Sequence, residues 1–118
     1  MSADRHLGRL RAALGSIETA AQDNASRSLE VQRRARAQRE RLERGESLVD
    51  LVEQEESPRV VELLSTNMSM LETAGSELRA AQALALRAEG LTIERIAELF
   101  GVTRQRISAL LRQKAAEV

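Results

Sequence analysis

At 118 residues the chain has room for one modest domain, or for a helical module joined to a smaller one. Hydrophobic residues make up 42% of it, yet Phe100 is the single aromatic, which disfavours sandwiches and barrels and leaves Leu, Ile, Val, Met and Ala to build an all-α core. The 18 basic and 18 acidic residues cancel to +0, and the absence of cysteine excludes disulfides, zinc–thiolate sites and thiol nucleophiles.

The zero sum conceals a pattern. Residues 1–44 hold ten Arg against six acids, residues 45–76 one Arg against seven, and residues 77–118 seven Lys or Arg against five. Two basic ends flank an acidic middle, and such a distribution matters more than the total for contact with a polyanion.

The first predicted element runs from about Ala3 to Arg44, without proline and with glycine only at Gly8 and Gly15. Leu7, Leu10, Leu14, Ile17, Ala21, Val31, Ala35 and Leu42 recur at alternating three-and-four spacing, with Asn24, Ser28 and Gln38 as polar, register-setting members of the same seam. Such a helix would be about 60 Å long at ~1.5 Å per residue. So thin an apolar stripe cannot fold alone, and needs a later helix, a second copy, or both. Arg33, Arg34, Arg36, Arg39, Arg41 and Arg44 form the densest charge run. Three uses stay open for it: a wet helix face paired with Glu46, Asp50, Glu53, Glu55 and Glu56, a contact to DNA phosphates, or a site for a small anionic effector.

Gly45 should end this helix, and Ser47 should cap a short one from Leu48 to about Gln54 whose apolar face is Leu48, Leu51 and Val52. Ser57–Pro58 reads as a cap followed by a first helical position, where proline loses no needed donor. A second seam follows at Val61, Leu64, Met68, Leu71, Leu78 and Ala85, with Met68 expected in the core and Met70 as its flexible neighbour. Gly75 interrupts the seam as a close contact, a kink or a junction. The expected division is therefore a coiled-coil-like dimerisation module at 1–76 and a second module at 77–118.

The second module reads as three short helices. One runs from about Glu77 to Ala88 and stops at Gly90; a second, Ile93 to Phe100, is capped by Thr92; a third is capped by Thr103 and runs to about Lys114. Ile96, Phe100, Val102, Ile107 and Leu110 fall where two short helices crossing steeply share a small core. Ala97 sits at their close approach and Gly101 takes the turn. These residues resemble the helix-turn-helix superfamily, and TIERIAELFGVTRQRISALL is similar to region 4 of bacterial sigma-70-type factors. The likeness covers about 35 residues; the rest carries no sigma-factor pattern.

The resemblance implies a DNA-reading third helix, and its residues have suitable chemistry. With Ile107, Leu110 and Leu111 turned inward, the opposite face carries Gln105, Ala109 and Arg112, flanked by Arg104 and Ser108. Thr103 to Lys114 holds three Arg, one Lys and no acid. Arginine can pair with guanine and glutamine with adenine, at roughly 1–3 kcal/mol of discrimination each. Thr103 at the helix N-terminus suits a phosphate, and Arg106 and Lys114 at the sides suit phosphates better than bases.

The reading that results is a sequence-specific transcription regulator, cytoplasmic and located at the nucleoid, that binds duplex DNA as a homodimer with helix 103–114 in the major groove. Docking on RNA polymerase or a sigma factor, or low-specificity nucleoid binding, are the alternatives. No carboxylate pair, nucleophile elbow or phosphate-cradling loop is evident, so no enzyme is expected. His6 alone makes no metal site, and no cofactor is expected. No stretch approaches the roughly 18 apolar residues of a membrane span, and Arg5, Arg9 and Arg11 break up any signal-peptide core.

Overall fold

The computed structural model describes residues 2–116, with side chains described for residues 4–113. Five α-helices and no strand occur among them: α1 (Ser2–Glu43), α2 (Leu48–Gln54), α3 (Val60–Ala88), α4 (Ile93–Phe100) and α5 (Arg104–Ala116). The all-α expectation holds, with a long N-terminal helix and a C-terminal helix-turn-helix. Two compact units are present: residues 19–72, and residues 1–18 with 73–118.

In the unit of residues 19–72, α1 and α3 run antiparallel. The numbering of the contacts shows it: Arg27 donates to the Asn67 Oδ1 at 2.8 Å, Arg34 to the backbone oxygens of Pro58 and Glu56 at 2.5 and 3.2 Å, and Arg41 to Gln54 Oε1 at 2.8 Å. Asn67 is 7% exposed and completes its bonding by donating to Ser28 Oγ at 3.3 Å. A buried amide of this kind is tolerated because both its ends are satisfied.

The inward row of α1 differs from the one read off its apolar residues. Leu10, Ile17, Asn24, Val31 and Gln38 are half-buried as expected, but their companions are the residues three positions on: Ala13, Ala20, Arg27, Arg34 and Arg41. The residues four positions on, Leu14, Ala21, Ser28, Ala35 and Leu42, are exposed, as is Leu7. The cause is chemical. An arginine stem packs like an apolar side chain while its head finds acceptors at the edge, and Arg27, Arg34 and Arg41 all do this. On α3 the same one-position offset appears. Leu63 and Asn67 are buried, whereas Val61, Leu64, Met68 and Leu71 are 65, 45, 72 and 43% exposed. Met68 is therefore not a core residue of the single chain.

The short α2 is capped as expected, Ser47 Oγ accepting from the Asp50 N–H at 3.4 Å, but it buries only Leu51; Leu48 and Val52 stay exposed. The start of α3 also differs. Ser57–Pro58 lies before the helix, whose first free donors are taken by carboxylates instead: Glu55 accepts from Val60 N at 2.9 Å and Glu62 from Arg59 N at 3.3 Å. Two acidic groups at a helix N-terminus also oppose the positive end of its dipole.

The arginine run is largely occupied within the same unit. Glu30 accepts from both Arg33 and Arg34, and Glu46 accepts from Arg41 at 2.9 Å and Arg44 at 3.4 Å. These contacts hold the carboxyls of Glu30 and Glu46 below the usual glutamate range, through the Arg34 and Arg41 hydrogen bonds first.

In the other unit, α3 continues through Gly75 without a break, and a Cβ placed on Gly75 would meet nothing within 4 Å in this chain. The last turns of α3 bring Ala83 and Leu86 against α4 and α5. Ala83, Ile96 and Ile107 are fully buried and Ala97 is 6% exposed, with Leu91, Ile93, Phe100, Val102, Leu110 and Leu111 packed around them. Fully burying each isoleucine stabilises the unit by about 1.5–3 kcal/mol.

Candidate nucleic-acid interface

The geometry of the reading helix is set by the turn before it. Gly101 has φ 67° and ψ 33°, the left-handed region in which a Cβ is costly. Its N–H bonds the carbonyls of Ala97 and Glu98, and the Val102 N–H reaches back to Ala97 O at 3.1 Å. That closing pattern satisfies the last carbonyls of α4 and swings Val102 onto the core. Gly90 ends α3 in the same way, with φ 100° and a Leu91 N–H to Leu86 O bond of 3.2 Å. Both helices that follow are then capped by threonine. Thr92 Oγ1 accepts from Arg95 N, and Thr103 Oγ1 from Arg106 N, each at 3.1 Å.

With Ile107 fully buried and Leu110 and Leu111 half-buried, the opposite side of α5 faces outward. Gln105, Ala109 and Arg112 are exposed on one face, spanning about 10 Å at ~1.5 Å per residue. Arg106 is exposed at the side, and Thr103 is exposed at the cap with its hydroxyl hydrogen still free to be donated. Ser108 is half-buried, so it is the least accessible of the predicted set. Lys114 carries a side chain outside the described residues.

Arg104 is exposed but paired, its Nη1 lying 3.2 Å from a carboxylate oxygen of Glu94 on α4. Sequence reasoning missed Glu94. Glu94 lies in the first turn of α4, at the end away from Gly101 and ten residues before Arg104, so no local spacing signals a pairing that depends on the crossing of two helices. Gln113, exposed beside Arg106 on the helix surface, was also overlooked. Among the described residues, Gln105, Arg106 and Arg112 make no side-chain hydrogen bond or ion pair within the chain. No described helix is long and apolar enough to cross a membrane.

The outward face thus offers planar donors and amide groups on a rigid rod of 13 residues, without a carboxylate on that rod. Groups of this kind bind base edges and phosphates. No curated protein and no solved structure matches the chain. Residues 74–115 match the family model of a homeodomain-like domain, which supports placing this C-terminal segment in the helix-turn-helix DNA-binding superfamily.

Proposed function

We propose that the protein is a dimeric, sequence-specific transcription regulator that inserts α5 into the major groove of duplex DNA. The observation that carries this reading is the division of α5 into two faces. Ile107 anchors one to the core, and the other presents Gln105, Ala109 and Arg112 to solvent. In this reading Gln105 and Arg112 read base edges, and Thr103, Arg106 and Lys114 hold phosphates. Arg104 exchanges Glu94 for a phosphate on binding. Residues 77–118 act as the DNA-binding module and residues 1–76 as the pairing module. One such helix offers few contacts; two presented about 34 Å apart read both halves of a two-fold site.

Selection of bound sequences from a random duplex library, followed by titration at several salt concentrations, tests it. The regulator enriches one motif and binds it well above random duplex. Equal binding to every duplex with a steep salt slope would instead mark a nucleoid protein. No duplex binding would favour docking on polymerase or a sigma factor, since helix-turn-helix geometry can also serve protein contacts.

A further inference from the structure

The unit of residues 19–72 leaves one face without an obvious occupant. From Leu63 to Leu71 the chain reads LLSTNMSML, nine residues without a charge. One side of this stretch is used within the chain, by Leu63 and Asn67. The adjacent side, Val61, Leu64, Met68 and Leu71, repeats the same three-and-four spacing and is open to solvent. Elsewhere in this unit the exposed helix faces mix charge with apolar residues: Arg33, Arg36, Arg39, Glu40 and Glu43 beside Leu29 and Leu42 on α1, and Asp50 and Glu53 beside Leu48, Val49 and Val52 on α2. A helix whose apolar residues extend beyond the side it buries within its own chain has a second apolar side to cover.

We propose that the Val61–Leu64–Met68–Leu71 face of α3 is the surface on which a second copy of this chain docks, forming a four-helix bundle. The inference rests on the dimer reading above and assigns its interface. A two-fold interface sets a patch against its own copy, so a like charge near its centre would repel itself, and this patch has none. A DNA or anionic lipid surface would need basic residues there, and a charged partner protein would need a charge to complement. In an antiparallel hairpin the rows flanking one side of the seam lie side by side, so Ala35 and Leu42 of α1 extend the α3 face. Two helices about 20 Å across and ~30 Å long present roughly 600 Å² per copy, near the ~800 Å² per partner of a standard stable interface.

The chain has no cysteine, so a single introduced thiol is unique. The full-length Met68→Cys variant, treated with a short bis-maleimide at micromolar concentration, should give a covalent dimer. The Arg36→Cys variant, with its thiol on the far side of α1, should not. Met68→Glu should weaken the dimer at least about tenfold in light scattering, with helicity by circular dichroism unchanged because the side chain is 72% exposed. A wild-type dimer whose Met68→Cys variant fails to cross-link would overturn the assignment while leaving the dimer intact. A wild type monomeric to about 100 μM would overturn both. Neither result bears on whether α5 binds DNA, which duplex titration reads separately.

Discussion

Replacing Ile107 by alanine deletes three carbons from a side chain that has no solvent exposure and packs with Ala83, Ile96 and Ala97. Transfer alone is worth about 2.4 kcal/mol at ~0.8 kcal/mol per carbon, and an unfilled cavity raises the loss to about 3–4 kcal/mol. For a small protein whose whole stability is about 5–15 kcal/mol, that is a large fraction. With a urea slope near ~1.5 kcal/mol per molar, the unfolding midpoint should fall by about 2 M. Gln105→Ala, two residues away on the exposed side, should shift stability by less than about 0.5 kcal/mol. Both are read by urea titration followed by circular dichroism at one protein concentration. A loss below about 1 kcal/mol for Ile107→Ala, or equal losses for the two variants, would refute the assignment of inward and outward faces of α5.

Gly101→Ala meets no steric obstacle but forces a Cβ into a left-handed backbone, so it should cost about 1–2 kcal/mol and lower the melting temperature by several degrees. Gly75→Ala, within a continuous helix, should instead gain about 0.5–1 kcal/mol in the same melt. Asn67→Ala strands the Arg27 head and should cost about 1–3 kcal/mol by urea titration. The Glu30 and Glu46 carboxyls are depressed, so their contribution is complete above the ordinary glutamate value of 4.5 and is lost as pH falls through the lowered values. Acid titration of Glu30→Gln and Glu46→Gln should accordingly show a shallower loss than the parent. In DNA titrations, Arg106→Ala removes one phosphate contact from each protomer of the dimer, so it should weaken all duplexes alike and reduce the salt slope by about 2, whereas Arg112→Ala should relax preference at one base position in each half-site.

The C-terminal segment was legible because its punctuation is local. Gly90 and Gly101 turn left-handed, Thr92 and Thr103 cap the helices that follow, and Ile96 of α4 and Ile107 of α5 are thereby brought into one core. The long helices were less transparent. Leu10, Ile17 and Val31 belong to two competing rows, and apolar content alone favoured the row through Leu14 and Leu42. The chain packs the other, because Arg27, Arg34 and Arg41 find acceptors across the hairpin that no residue count along one helix reveals. The start of α3 was misplaced for a related reason: the carboxylates of Glu55 and Glu62 take its free donors, and the serine–proline pair stays outside. On α5 the exposed set was readable from helical period, but the Glu94–Arg104 pair required knowing how α4 and α5 cross.

Dimethyl sulfate reacts with guanine N7 in the major groove and with adenine N3 in the minor groove, and so distinguishes where α5 lies. On the selected duplex, bound protein should shield guanine N7 at two symmetry-related positions about one helical turn apart, and Arg112→Ala should lose that shielding in both half-sites alike. Shielding confined to adenine N3, or no shielding of any base beneath bound protein, would contradict major-groove insertion of α5.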